Sequence, residues 1–140
     1  MSGYLLDTNV VSELRRRKPH GAVTAWLRGL SESDIFISAV TLGEIQSGIE
    51  LTRGQDTEKA VEIEAWLDDL AANQNILPMD GRAFRTMARL LHRKSDHLIE
   101  DAMIAATAAV HGLTVATRNI RDFRRLGVPA SNPFEAADRR

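Results

Sequence analysis

Leu98–Thr117 reads LIEDAMIAATAAVHGLTVAT, and this stretch decides the fold class. From Leu98 to His111 the residues are alanine-rich and apolar on most sides, the pattern of a helix packed deep in a core. Gly112 stands where a helix C-cap favours a left-handed residue. Leu113-Thr114-Val115-Ala116-Thr117 then reads as a strand, entered directly from the helix.

The same alternation recurs on the N-terminal side. Tyr4-Leu5-Leu6 is a short apolar run ending in Asp7, the mark of a buried strand, and Asn9 to Arg17 has a helical pattern until Pro19 stops it. Ala22, Val23, Trp26, Leu27 and Leu30 recur at helical spacing, and Ile35-Phe36-Ile37 reads as a second strand. Val40 to Arg53 returns to helix, with Leu42, Ile45, Ile49 and Leu51 as its apolar positions. Glu58 to Ala72 gathers Val61, Trp66, Leu67 and Leu70 on one helical face. Ile76-Leu77 is a short strand before Pro78, and Gly81 to Lys94 is a helix with Phe84, Met87, Leu90 and Leu91 inward. Short apolar strands alternating with helices predict an α/β chain whose mostly parallel sheet is covered on both faces. In such sheets ligands bind beyond the carboxyl ends of the strands.

Composition narrows the class further. The 140 residues suit a single domain over 1–140, and 44% hydrophobic residues with a net charge of −1 exclude a disordered chain. The absence of cysteine removes disulfides, thiolate metal sites and cysteine nucleophiles. No apolar run approaches the roughly 18–20 residues of a membrane span, and MSGYLLDTN lacks the basic start of a signal peptide. A cytoplasmic protein with no membrane contact is the expectation. The small net charge hides opposed segments. Glu50 to Asp69 holds seven acids and two bases, whereas Arg82 to Arg125 holds nine bases and four acids. Such a basic segment is either a solvated face or a nucleic-acid footprint.

Five polar residues fall where the strands end. Asp7 follows the first strand, Glu44 is expected in the first turn of the helix after the second, and Asp101 lies in the first turn or so of the alanine-rich helix. Asn119 and Asp122 follow the last clear strand. Ordinary readings exist for most of them. Thr41-x-x-Glu44 matches a capping box, a helix start favours Asp101, and Asp122 suits an N-cap for Phe123 to Leu126. Asp7 resists such a reading, because a carboxylate closing a buried parallel strand is costly without a partner. Carboxylates brought together raise one another's pKa unless a cation neutralises them. With oxygen ligands alone the expected ion is hard, Mg²⁺ or Mn²⁺, and metal-dependent phosphodiester hydrolysis fits best. His20, His92, His97 and His111 lack metal-ligand spacing and read as surface or helix-end residues, and no glycine loop cradles a phosphate.

LLDTN at Leu5–Asn9, SAVTLGEIQSGI at Ser38–Ile49, EDAMIAATA at Glu100–Ala108 and ATRNIRDF at Ala116–Phe123 together resemble the PIN-domain ribonucleases, most of all the toxins of VapBC-type toxin–antitoxin modules. SNPF at Ser131–Phe134 resembles the final-strand ending of many members. The resemblance implies a three-layer, Rossmann-like α/β/α sandwich and Mg²⁺- or Mn²⁺-dependent RNA cleavage. It also implies a small antitoxin partner and, commonly, a homodimer or a hetero-oligomer with the antitoxin. It places Asp7, Glu44 and Asp101 as metal-holding catalytic residues, and either Asn119 or Asp122 completes the acidic site. Thr8, Asn9 and Thr117 fall in supporting positions. Arg118, Arg121 and Arg124, with the Arg15–Lys18 cluster, are expected either to hold RNA phosphates or to pair with antitoxin carboxylates. Two rivals stand beside this reading. A haloacid-dehalogenase-type phosphatase needs a second aspartate where this chain has Asn9. A catalytically impaired PIN-like module would bind RNA or a partner without cutting.

Overall fold

Five short strands form one sheet: β1 (Tyr4–Leu6), β2 (Ile35–Ser38), β3 (Asn75–Leu77), β4 (Thr114–Ala116) and β5 (Ala130–Ser131), in the order β3-β2-β1-β4-β5. The computed structural model describes residues 3–135. Every pairing is parallel, with Leu5 opposite both Phe36 and Val115. Between them run seven α-helices among the described residues: α1 (Thr8–Glu13), α2 (Gly21–Arg28), α3 (Ala39–Arg53), α4 (Thr57–Asn73), α5 (Gly81–Leu91), α6 (Ile99–His111) and α7 (Ile120–Arg125).

Alternation along the strands divides the core in two. Leu5, Phe36, Leu77 and Val115 join a cluster with Leu98, Ala102, Ile104, Ala105 and Phe123. Leu6, Ile37, Ile76 and Ala116 face the opposite cluster, with Val10, Val23, Ile49, Leu67 and Leu70. Successive strand residues point to opposite faces, so each strand feeds both clusters and the result is an α/β/α sandwich. α6 is buried through its middle, at Ala102 and from Ile104 to Ala108, because alanines let it lie close to the sheet, and Gly112 closes it at φ 67° as a left-handed cap.

Several expectations need correction. α1 stops at Glu13, not Arg17: Glu13 turns inward to accept the His20 amide at 2.7 Å, while Arg15–Lys18 gather four like charges. α5 stops at Leu91, not Lys94, because Arg93 takes a left-handed φ of 66°. Leu51, Val61 and Phe84, expected inward, are 77%, 55% and 52% exposed. Their helical faces are instead buried through Ile49, through Ala60, Leu67 and Leu70, and through Ala83. The Thr41–Glu44 capping box does not form. Ser38 is the cap of α3, its hydroxyl accepting from Val40 N at 3.0 Å, and Glu44 lies in the second turn. Asp122 sits inside the first turn of α7, where Asn119 holds the N-cap position.

Candidate active site

The strand order changes direction between β1 and β4, so their carboxyl ends splay into the crevice expected of an open parallel sheet. Asp7 and Thr117 each follow one of these strands directly. The Asp7 amide donates to Ala116 O at 2.9 Å, which locks the first residue beyond β1 to the end of β4.

Asp7 is held by three donors. Its Oδ1 accepts from Thr8 N at 2.8 Å; its Oδ2 accepts from Asn9 Nδ2 at 3.1 Å and from the buried Thr117 hydroxyl at 2.8 Å. Thr117 Oγ1 also accepts from Asn119 N at 2.8 Å, so one hydroxyl positions both a carboxylate and the following turn. Asn119 Nδ2 bridges Asp101 Oδ2 at 3.3 Å and Asp122 Oδ2 at 2.9 Å. Asn119 thus meets the two aspartates as a donor, neutralising part of their repulsion. Asp122 has a second, looser partner in Arg125, 3.8 Å away.

Glu44 enters from the other side. The Thr8 hydroxyl donates to Glu44 Oε1 and lies 3.0 Å from the hydroxyl of buried Thr41. Thr8 therefore joins Glu44 to the Asp7 turn through adjacent residues of one chain segment. Glu100, which is not among the site residues singled out above, sits close enough to Glu44 to raise its pKa. Glu100 and Asp101 are successive on α6 and point about 100° apart, one toward Glu44 and the other toward Asn119. The only sequence signal for Glu100 is its adjacency to Asp101.

The electrostatics are those of anions short of counter-charge. Burial pushes Asp101 from 3.8 to about 6, helped by Asp7, Asp122 and Glu100 and opposed by His97. Burial also pushes Glu44 from 4.5 to about 7; Thr8 opposes this, while Glu100 and Asp7 add to it. Asp7 is raised by its burial despite donors from Thr117, Thr8 and Asn9. Oxygen donors carrying unmet negative charge suit a hard divalent cation. Among the described residues no three acidic or imidazole side chains converge closely enough to hold one ion together. A cation bound here would keep several waters, as Mg²⁺ does.

The arginines do not act as one surface. Arg118 follows Thr117, and its amide donates to Asn9 Oδ1 at 3.3 Å. Arg15 lines a cavity of about 260 Å³ with Thr8, Ser12 and Glu44, whereas Arg16 pairs with Glu13 at 3.4 Å. Arg82, Arg85 and Arg89 line a separate hollow of about 330 Å³ on α5 that contains none of the acidic residues. Arg121 and Arg124 lie exposed on α7, outside the hydrogen-bond network of the acids.

The chain matches the PIN domain family over residues 4–129. It is 36% identical to Toxin FitB of Neisseria gonorrhoeae over 136 residues, covering 93% of this chain and 97% of that protein. It is likewise 36% identical to VapC ribonuclease Y4jK of Sinorhizobium fredii over 141 residues, covering 95% and 99%. The crystal structure of FitAcB from Neisseria gonorrhoeae matches the fold with a TM-score of 0.81 at 35% identity, covering 94% of this chain and 99% of that one.

Proposed function

The chain belongs to the PIN domain family, and from that premise we propose that it is a metal-dependent endoribonuclease, the toxin of a type II toxin–antitoxin module. The observation that carries this reading is the gathering of Asp7, Glu44 and Asp101 at the β1–β4 crevice with every one of their pKa values pushed up. The names toxin and ribonuclease borne by two relatives of nearly equal length support it. In this reading a single PIN domain spans residues 1–140 and acts in the cytoplasm. No described helix is long and apolar enough to cross a membrane.

Asp7, Asp101 and Glu44 are the residues that would hold Mg²⁺ or Mn²⁺, not all of them directly but partly through water, since no three of the described acidic side chains converge on one ion. When bound, such an ion supplies positive charge against the phosphate and lowers the pKa of water at the site. Asp7 needs little reorganisation, because Thr8 N, Asn9 and Thr117 already fix both of its oxygens. Among the described residues no donor reaches Oδ1 of Asp101, which is available to a cation or to water. Asn119 keeps Asp101 and Asp122 together at a spacing two bare carboxylates would resist. Asn119 rather than Asp122 is the centre of this part of the site, and Asp122 assists through it. Glu44 and Asp101 are held partly protonated near neutrality, so cation binding releases protons and strengthens as pH rises.

The partner is a small antitoxin protein whose acidic groups meet the exposed arginines, and the toxin is a homodimer or a hetero-oligomer with it. Arg118, Arg121 and Arg124 contact RNA phosphates flanking the cut. The intact acidic set favours a cutting enzyme over an impaired binding module. The test is expression of the chain alone and with the product of a neighbouring small gene. The account expects growth arrest relieved by co-expression and absent for Asp7→Asn. Arrest that persists in Asp7→Asn would contradict it.

A further inference from the structure

One aromatic ring ties three distant segments to the edge of the acidic site. Phe134 lies under the Arg118 guanidinium, whose Cζ is 3.8 Å from the ring centroid. His20 meets the same ring edge to face, with centroids 5.4 Å apart at 73°. Each member is anchored separately. The His20 amide donates to Oε2 of buried Glu13 at 2.7 Å, and its Nδ1 accepts from Ala22 N at 3.2 Å. The Phe134 amide donates to Asn132 Oδ1 at 2.9 Å, just beyond β5. The Arg118 backbone is held by Asn9, which itself donates to Asp7.

We propose that Phe134, seated by His20, is a positioning residue that holds the Arg118 guanidinium beside the acidic site as a receptor for a phosphate of the RNA strand. This rests on the ribonuclease reading above. Stacking occupies the face of a guanidinium, whereas its five N–H donors lie in the plane and remain free. Among the described residues no carboxylate takes those donors. A strand that presents one phosphate to the acidic cluster carries others on either side, and Arg118 stands at that flank, one residue from both Thr117 and Asn119. An unrestrained arginine would have to surrender rotamer freedom on binding. Stacking on Phe134 restricts that freedom beforehand without consuming a donor. An edge-to-face contact of the same ring sets Phe134, just beyond β5, against His20 at the start of α2.

The experiment is a double-mutant cycle on the full chain. Cleavage of a labelled RNA in Mn²⁺ gives KM and kcat, and anisotropy in EDTA gives the Kd of the same RNA. Phe134→Leu should raise KM and Kd about two- to fivefold with kcat little changed. Phe134→Tyr should restore both. In an Arg118→Ala background Phe134→Leu should have no further effect. His20→Asn keeps an N-cap acceptor but removes the ring, and should shift KM in the same direction by less; this keeps the test decisive if Phe134→Leu proves too unstable. An equal KM change with or without Arg118 would overturn the proposal, because Phe134 would then act only through the fold. Unchanged RNA affinity combined with weakened binding of an acidic peptide would place Arg118 on a protein partner and overturn it too. A wild-type chain that cleaves RNA while the cycle shows no coupling removes this inference alone. A wild-type chain that neither binds nor cleaves RNA removes the ribonuclease reading with it.

Discussion

Replacing Asp101 by asparagine should stabilise the cation-free protein at neutral pH, although Asp101 belongs to the site. Its carboxyl is raised from 3.8 to about 6 by burial and by Asp7, Asp122 and Glu100. If wholly expressed, that is roughly a hundredfold in proton affinity, or about 3 kcal/mol. Asp101 is only half-buried, so solvent screening reduces its contribution to about 1 kcal/mol. The native state binds this proton more tightly than the unfolded chain between about pH 4 and pH 6, so stability falls as pH rises through that window. The penalty is complete above it. Glu44, raised from 4.5 to about 7, acts with the same sign and carries the decline to neutrality. Asparagine has nearly the same shape, and its carbonyl still accepts from Asn119. Thermal unfolding in EDTA should therefore show Asp101→Asn melting about 3–5 °C above wild type at pH 7.5 and equal to it at pH 4. Mn²⁺ should raise the wild type and leave the variant nearly unmoved. If Asp101→Asn is less stable at pH 7.5 without metal, or if its advantage persists at pH 4, the carboxylates do not repel as argued.

Further substitutions probe the hydrogen-bond network and the arginines around it. Thr117→Val removes both the donor to Asp7 and the acceptor of Asn119 N, and should cost about 1–3 kcal/mol in denaturant unfolding, with Thr117→Ser close to wild type. Asn119→Asp replaces a bridging donor with a third anion; on the order of 1 kcal/mol should be lost in EDTA and regained with Mn²⁺, as melting curves would register. Charge reversal of Arg118, Arg121 and Arg124 should weaken RNA binding in a filter assay, most at low salt. An affinity unchanged across that series would remove these arginines from the RNA path.

Much of this arrangement was legible in the residues. β1, β2 and β4 are apolar runs too short for helices, and α6 has the uniform apolar surface of a buried helix, so the sheet and its central packing follow from pattern. Asp7 was legible because a carboxylate closing a buried strand needs an explanation that local capping does not supply. Glu100 was not, because adjacent helical residues face different directions and only the packing of α3 against α6 selects which carboxylates meet. Helical periodicity also overstated the inward faces. Leu51, Val61 and Phe84 lie on the margins of apolar stripes, where exposure is decided by what the neighbouring helix covers. The end of α1 depended on a long-range event as well, the inward turn of Glu13 onto the His20 amide. Two-residue β5 carries too little pattern for periodicity to read, and only the resemblance of Ser131–Phe134 to a final-strand ending points to it; its place is set by Thr117 N donating to Ser131 O at 2.8 Å.

The central claim is that the carboxylates at the β1–β4 crevice cut RNA with the help of a divalent cation. Purified protein incubated with a panel of RNAs, in Mn²⁺ or in EDTA, beside Asp7→Asn and Asp101→Asn, tests it most directly. The account predicts cleavage by the wild type in Mn²⁺ that leaves 5′-phosphate and 3′-hydroxyl ends, and none in EDTA or from either variant. Cleavage that survives chelation and both substitutions would contradict it.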